Sequence, residues 1–163
     1  MELWDLYDRD GKWQRNGHPR GQSIPKGLYH LVVSVIIQHQ DGDYLAMQRS
    51  YEKGTTGGYF EVSASGAVKV GESAASAVRR ELQEETGLDA TDWQRLCKVV
   101  LDEMQTIYCL YYAKTIMPKD HIQLQAHETI GYRWVDLEAL KQMARADEVI
   151  GIGAWWLLEQ AKQ

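Results

Sequence analysis

Several residue types are scarce in this chain, and cysteine is the most informative of them. Only Cys97 and Cys109 occur in 163 residues, and both lie in apolar, strand-like runs. Neither has a second cysteine or a histidine at the spacing of a metal site. The pair therefore indicates buried free thiols or, as the alternative, one disulfide.

Long apolar runs and a strong basic charge are also missing. No apolar run approaches the ~18 residues that a membrane-spanning helix needs. The start, MELWDLYDRDG, lacks the basic and then apolar pattern of a signal peptide. We therefore expect a cytoplasmic protein with no membrane partner. The net charge of −5 disfavours a general nucleic-acid surface, whereas a small anionic substrate is allowed because a bound divalent cation inverts the local charge.

The length and composition are those of a globular protein, although Phe occurs once. Hydrophobic residues make up 44% of the chain and charged residues 25%, and 163 residues suffice for one domain but not comfortably for two. We predict a single domain over residues 1–163, with 1–28 as a hairpin-like N-terminal extension. That extension either covers a sheet edge or brings Trp4, His18 or Arg20 to a substrate or dimer surface.

Strand patterns flank the middle of the chain on both sides. Residues 30–38 are β-branched and almost continuously apolar, as in a strand buried on both faces. Asp41-Gly42 then predicts a hairpin turn into a strand at 44–48. Three further strands are predicted at residues 93–102, 106–113 and 131–135. Two further helices are predicted at residues 137–143 and 153–162. This order predicts an α/β fold, an α/β/α sandwich around a mixed β-sheet.

Residues 73–86 predict a helix between the two groups of strands. The interior is rich in strong helix formers, and Gly87 follows where a left-handed C-terminal cap is favoured. Leu88 can fold back on Leu82, a contact that usually accompanies such a cap. The glycine-rich loop at 50–58 precedes this helix and can approach a ligand closely.

The helix carries three glutamates on one side, Glu81, Glu84 and Glu85, within an arc of roughly 100°. This arc borders the apolar stripe, so we expect the carboxylates to be half buried, with Ala74 and Ala77 leaving room for a loop or a ligand beside them. A solvated acidic face is the alternative. Repulsion between half-buried carboxylates would be relieved by a hard divalent cation, for which Mg²⁺ and Mn²⁺ are the natural candidates. Arg80 can orient one carboxylate bidentately.

The spacing of these residues resembles a known motif. Residues 66–88, GAVKVGESAASAVRRELQEETGL, contain a Gly, a Glu after five residues, and Arg-Glu-apolar-x-Glu-Glu-x-Gly-apolar after seven more. This pattern is similar to the Nudix box of the Nudix hydrolase superfamily, and the resemblance extends over about residues 28–160. It implies an α/β/α sandwich that hydrolyses a diphosphate linked to another moiety, through attack of water on phosphorus with Mg²⁺ or Mn²⁺.

The resemblance also implies roles for particular residues. The metal ligands would be the Gly66 carbonyl and the carboxylates of Glu81, Glu84 and Glu85, while Arg80 and Glu72 would support them. The predicted catalytic residues are Glu84, Arg80 and Glu128.

The general base is open between a glutamate of the box and Glu128 in a later loop. Glu128 can equally be an ordinary surface acid. Tyr59 and Glu61, in a Gly-aromatic-x-Glu segment that enters the box, are predicted to bind substrate. We expect the partner to be a small organic diphosphate, and the Trp-rich terminal segments allow a homodimer.

Two departures from the family pattern matter. Many members have Pro-Gly-Gly where this chain reads Ala64-Ser65-Gly66. The opening residues 4–8 and the strand at 30–38 resemble the branch that contains isopentenyl-diphosphate isomerase, but residues 61–68 lack that enzyme's catalytic cysteine. Isomerase-like chemistry and a non-catalytic, ligand-sensing role are therefore the alternatives to hydrolysis.

Overall fold

The computed structural model describes residues 1–163 as two β-sheets and three α-helices. Strands β1 (Leu3–Tyr7) and β2 (Trp13–Pro19) form a two-stranded antiparallel sheet. The strands of the larger, mixed sheet are β3 (His30–His39), β4 (Tyr44–Arg49), β5 (Phe60–Val62), β6 (Ala64–Ala67), β7 (Thr91–Leu101), β8 (Thr106–Thr115), β9 (Thr129–Val135) and β10 (Val149–Ile150). The helices are α1 (Ala74–Thr86), α2 (Leu137–Arg145) and α3 (Ile152–Gln160). None of them has the length and apolar character needed to cross a membrane.

The larger sheet consists of two halves that meet at one hairpin. In the first half β3 is parallel to β8 along its whole length and pairs with β6 on its other edge. In the second half β4 lies between β5 and β9. The hairpin strands β3 and β4 pair only at Gln38 and Tyr44. The halves therefore diverge from the hairpin and leave a cleft between them.

Ser63 connects the two halves where β3 and β4 stop pairing. It is fully buried and has a φ of 62°, which turns the chain from β5 into β6. Its hydroxyl accepts a hydrogen bond from the Ile37 N–H at 2.9 Å and donates to the Leu45 carbonyl at 3.1 Å. Buried backbone groups need hydrogen-bond partners. The Ser63 hydroxyl provides a partner for one such group on β3 and for one on β4, where the two strands no longer pair with each other.

The helices cover opposite faces of the sheet, which confirms the predicted α/β/α sandwich. Alternate residues of β3 face different helices: Val33 and Val35 belong to the core under α1, and Ile36 belongs to the core under α2 and α3. Ala77 of α1 is fully buried in the first core. Of the two alternatives predicted for the space beside Ala77, a loop or a ligand, the ligand is excluded at this position, because the small side chain is packed against the rest of the protein.

The ends of α1 agree with the predicted helix. Ser73 is the N-cap, and its side chain accepts a hydrogen bond from the Ser76 N–H. Gly87 is the left-handed C-cap with a φ of 71°, and its N–H donates to the Gln83 carbonyl at 2.9 Å. Leu88 is buried in the same core as Leu82. These caps hold the glutamates of α1 in a defined register.

The two cysteines are free, as expected. They lie on neighbouring strands, where Cys109 pairs with Lys98 and Cys97 pairs with Leu110. Directly paired residues share a face and successive residues alternate, so the two thiols point to opposite faces of the sheet. A disulfide between them is therefore ruled out by the strand register.

The N-terminal hairpin of β1 and β2 adds no strand to the larger sheet but is tied to it at several points. The Asp5 carboxylate accepts a hydrogen bond from the Gly71 N–H at 2.9 Å, just before α1. Arg9 forms a bidentate pair with Asp102 in the turn between β7 and β8. Tyr29 donates to the same carboxylate at 2.6 Å. The hairpin is thus fixed to the loop before α1 and to the turn between β7 and β8.

We predict that Ser63→Ala destabilises the protein by about 1–3 kcal/mol, because it leaves the buried Ile37 N–H without a partner. Urea denaturation measures this, with exposed Ser23→Ala as the control. Ser63→Gly separates the two possible causes. Glycine tolerates the positive φ but does not replace the hydroxyl, so Ser63→Gly should not restore the stability of the wild-type protein. A Ser63→Ala protein as stable as wild type would refute the bridging role.

Candidate active site

A cavity of about 790 Å³ occupies the cleft between the two halves of the sheet. Val32 and Ser34 of β3 and Tyr108 of β8 contribute to its lining on one side. Glu61 of β5 and the start of α3 contribute on another. Because α1, β6 and the N-terminal hairpin also reach it, the cavity brings together distant parts of the chain.

Many of the side chains that line this cavity are charged. Six glutamates contribute to it: Glu2, Glu61, Glu81, Glu84, Glu85 and Glu128. Five basic residues contribute as well: Arg20, Arg49, Lys53, Lys69 and Arg80. Such a mixture of acids and bases is suited to a charged ligand that carries its own counter-ion.

Arg80 organises the carboxylates at the α1 side of the cavity. Its Nε and one terminal nitrogen contact the two oxygens of Glu72 at 2.8 and 2.9 Å. The other terminal nitrogen donates to Glu81 at 2.5 Å and to Glu84 at 3.2 Å. The Ala67 carbonyl accepts a further hydrogen bond at 3.1 Å. These contacts use all five donors of the guanidinium, which fixes its position.

The Glu72 carboxylate is held as the counter-ion of Arg80. The hydrogen bonds from Arg80 lower the pKa of Glu72 and raise that of Arg80. Glu72 also accepts from the Lys69 N–H at 3.1 Å. The pair therefore joins α1 to the loop that precedes it.

Glu81 lies directly against the backbone of Gly66. A Cβ on Gly66 would sit 2.1 Å from the carboxyl carbon of Glu81, so only glycine fits there. Burial raises the pKa of Glu81, and the hydrogen bond from Arg80 opposes that rise. The close approach sets the Glu81 carboxylate beside β6, next to the Gly66 peptide.

Glu85 is the most unusual acid of the site. It is buried, and its pKa is raised well above the ordinary value, first by burial and then by the charges of Glu61, Glu81 and Glu128. The backbone N–H of Ser65 acts in the opposite direction. Glu85 therefore lies among other carboxylates, and the nearby Arg80 pairs with Glu72, Glu81 and Glu84 but not with Glu85.

Glu84 differs from its two neighbours. Its side chain is 40% exposed, which is close to the predicted half burial, whereas Glu81 and Glu85 are buried more deeply than predicted. At about 100° per residue, Glu84 lies roughly 60° farther from the apolar stripe than Glu81 does. It faces the mouth of the cavity, where Lys69 is 4.0 Å away.

Glu61 and Glu128 come from outside the helix and are both neutralised by bases of the 49–58 region. Arg49 contacts Glu61 at 2.5 Å, and the Ser65 hydroxyl donates to the same carboxylate at 3.1 Å. Lys53 forms an ion pair with Glu128. The structure thus brings Glu128 into the site although it lies more than forty residues after Glu85 in the chain.

Tyr59 is not brought to this cavity. It precedes β5, its carbonyl accepts from the Arg49 N–H at 2.8 Å, and the residue is 43% exposed. Together with Gly57, Gly58 and Phe60 it lines a second cavity of about 420 Å³. The pairing of its backbone at the outer end of β4 explains why it lies apart from Glu61.

Sequence reasoning missed the basic residues of the site. Arg49, Lys53 and Lys69 all line the cavity, as does Ser65. The sequence carried a usable signal for Arg49 and Lys53, because Lys53 lies in the glycine-rich loop that was predicted to approach a ligand and Arg49 directly precedes that loop. Nothing in the local pattern marked Ser65.

The departure from Pro-Gly-Gly does not leave the segment before the box loose. Residues 64–67 form β6, in which Ala64 pairs with Val35 and Gly66 pairs with Val33.

The cavity lining contains no cysteine, so a thiol for isomerase-like chemistry is absent.

The donor groups of the site fit a hard divalent cation. They are oxygens, chiefly carboxylates, and Glu85 lacks a cationic partner. Mg²⁺ and Mn²⁺ prefer such ligands. No three acidic, histidine or cysteine side chains surround one point closely enough to form a completed centre, because Glu81 and Glu84 are turned towards Arg80.

We predict that Gly66→Ala destabilises the protein by about 1–3 kcal/mol, because the new Cβ overlaps the Glu81 carboxylate. The same change in a Glu81→Ala background should cost much less, since the obstructing group is gone. A double-mutant cycle by urea denaturation without divalent cations measures the difference. Equal costs in both backgrounds would show that Gly66 is required for another reason.

Comparison with known proteins agrees with this geometry. The family model described as NUDIX domain matches residues 28–151. A Nudix hydrolase of Listeria monocytogenes is 30% identical over 152 residues, which cover 92% of this chain and 89% of the relative. An isopentenyl-diphosphate Delta-isomerase of Klebsiella pneumoniae is 26% identical over 145 residues, covering 82% and 75% of the two chains.

A solved structure gives the same result for the fold. The crystal structure of DR0079 from Deinococcus radiodurans matches with a TM-score of 0.76 at 21% identity and covers 97% of this chain and 98% of its own. The family match includes the whole box from Gly66 to Leu88, where the structure concentrates buried carboxylates. The chain therefore belongs to the Nudix hydrolase family, whose enzymes hydrolyse pyrophosphate bonds.

Proposed function

We propose that this protein is a metal-dependent hydrolase that cleaves a diphosphate linked to another moiety, with Mg²⁺ or Mn²⁺ as the cofactor. The observation that carries the proposal is the burial of Glu85 among Glu61, Glu81 and Glu128 without a balancing cation. Keeping such a group costs stability, because buried like charges repel with little screening. A divalent cation would remove that cost.

The ligands that we assign to the cation are the carboxylates of Glu81, Glu84 and Glu85 and the carbonyl of Gly66. Glu81 and Gly66 are in direct contact, and Glu85 lies near the Ser65 N–H. A bound divalent cation supplies charge neutralisation for the diphosphate and lowers the pKa of a bound water. Arg80 holds Glu81 in position and releases Glu84 when a stronger partner is present.

The basic residues near the 50–58 loop are suited to bind the phosphate oxygens. Arg49 and Lys53 are paired with Glu61 and Glu128 in the free protein. An incoming diphosphate offers both bases an alternative anion. Exchange of Lys53 onto a phosphate oxygen would free the Glu128 carboxylate, which could then accept a proton from the attacking water. Catalysis would thus depend on positioning and charge stabilisation.

We expect Glu81→Gln and Glu85→Gln to lower kcat at least about 100-fold, because each removes a charged ligand of the cation. The assay is release of phosphate-containing product from nucleotide sugars, dinucleotides and isoprenoid diphosphates, each with Mg²⁺, Mn²⁺ or a chelator. Glu103→Gln, in an exposed turn, is the matched control and should be fully active. Turnover that persists with the chelator would contradict metal dependence. Ligand binding without metal and without any turnover would favour the ligand-sensing alternative.

Glu128→Gln tests the choice of general base. If Glu128 accepts the proton, kcat should fall about 10²- to 10⁴-fold while the affinity for the cation changes little. Glu52→Gln, an exposed acid that pairs with His127 nearby, is the control. A loss of only a few fold would assign the base to a glutamate of α1 instead.

A further inference from the structure

The N-terminal hairpin reaches the site at a turn that contains none of the assigned cation ligands. This turn, residues 69–72, lies between β6 and α1 and brings Lys69 to the lining of the cavity. The Glu72 N–H donates to the Lys69 carbonyl at 3.1 Å, and Gly71 at the third position has a φ of 74°. The segment is therefore a β-turn of the kind that requires glycine at that position.

The hairpin supplies two of the hydrogen-bond acceptors for the backbone of this turn. The Val70 N–H donates to the Leu3 carbonyl at 2.9 Å, and the Gly71 N–H donates to the Asp5 carboxylate at 2.9 Å. The first contact joins two backbones and is kept when side chains are changed. The second depends on one side chain, so Asp5 is the residue through which a substitution can release the turn.

Asp5 is an unfavourable residue for its position if packing alone is considered. It is only 6% exposed, and its Oδ1 is buried without a hydrogen-bond partner. A buried polar atom that lacks a partner costs free energy, and an apolar side chain of similar shape would avoid that cost. What the carboxylate contributes instead is the acceptor for the Gly71 N–H.

The turn connects the hairpin to the cation ligands through Glu72. The Glu72 carboxylate accepts from the Lys69 N–H at 3.1 Å and from Arg80 at 2.8 and 2.9 Å. Arg80 in turn donates to Glu81 and Glu84. Hydrogen bonds and one tight turn therefore join the hairpin to two of the carboxylates that we assign to the cation.

We propose that Asp5 is a positioning residue, which holds the turn at 69–72 and thereby fixes Glu72 and Arg80 and sets the affinity of the site for the divalent cation. This inference rests on the proposed hydrolase function, because the cation ligands are the ones assigned there. It goes beyond that function because the hairpin lies before the part of the chain that matches the family model and has no part in the proposed chemistry.

The binding test compares Asp5→Leu with Asp5→Asn. Leucine has the branched outline of aspartate but cannot accept the Gly71 N–H, whereas asparagine keeps an acceptor oxygen. We expect Asp5→Leu to raise the Kd for Mg²⁺ about 5- to 10-fold and Asp5→Asn to raise it less than about 2-fold, measured by isothermal titration calorimetry. Arg9→Gln, which breaks the contact of the same hairpin with Asp102, is the matched control and should bind Mg²⁺ like wild type.

NMR of the metal-free protein measures the position of Arg80 without any turnover. The Arg80 Nε–H donates to Glu72 and should exchange slowly with solvent in wild type, Asp5→Asn and Arg9→Gln. In Asp5→Leu we expect exchange to be about 5-fold faster, because the turn that carries Glu72 opens more often. Thermal unfolding of each variant checks that it is folded.

A measurement on wild type needs no variant. Coupling between two sites is reciprocal, so a cation that binds more tightly when Asp5 holds the turn must also strengthen that contact. Mg²⁺ should therefore slow the exchange of the Gly71 N–H. The Lys12 N–H, which donates to Asp8 elsewhere in the hairpin, is the internal control and should exchange at an unchanged rate.

The outcomes separate the two proposals. An unchanged Kd in Asp5→Leu, an equal rise in Arg9→Gln, or the same Arg80 exchange in every variant would overturn the role of Asp5 and leave hydrolysis standing. If Asp5→Leu does not fold, the wild-type measurement decides, and a Gly71 N–H that Mg²⁺ does not slow would overturn the role. A wild type that binds neither Mg²⁺ nor Mn²⁺ would instead defeat the metal-dependent function, and the inference with it.

Discussion

The contact on which the site most depends is the one between Arg80 and its carboxylates. One guanidinium holds Glu72 bidentately and also reaches Glu81, Glu84 and the Ala67 carbonyl. It thereby fixes α1, the loop before it and β6 relative to one another. Lysine has no planar fork of donors, so it could not make this set of contacts. The capping of α1 and the absence of a side chain at Gly66 both serve the same arrangement.

Arg80 leaves one acid unbalanced, and that imbalance links structure to function. It neutralises Glu72 and part of Glu81, but Glu85 is surrounded by further carboxylates. The bases Arg49 and Lys53 are in turn occupied by Glu61 and Glu128. A cation together with a diphosphate would match both sets at once, because the cation pairs with the acids and the phosphates pair with the bases. Functional sites commonly hold such unfavourable charge until their ligands bind.

The sequence predicted the regular elements well because their signals are local. The C-terminal cap of α1, the turn after β3 and the apolar run of β3 each depend on a few neighbouring residues. The short strands β6 and β10 were missed, since two to four residues carry no periodicity. The bridging role of Ser63 and the ion pairs of Arg49 with Glu61 and of Lys53 with Glu128 depend on contacts between distant segments. The position of Tyr59 depends on such contacts as well.

The most direct test of the central claim is the free energy of unfolding with and without Mg²⁺, for wild type and for Glu85→Gln. If the buried carboxylates form the cation site, wild type should gain about 2.7 kcal/mol at a Mg²⁺ concentration 100 times Kd. Glu85→Gln should be at least as stable as wild type without the cation and should gain little from it. A wild-type protein that Mg²⁺ and Mn²⁺ leave unchanged, or an equal gain in both proteins, would contradict the assignment of Glu85 to the cation.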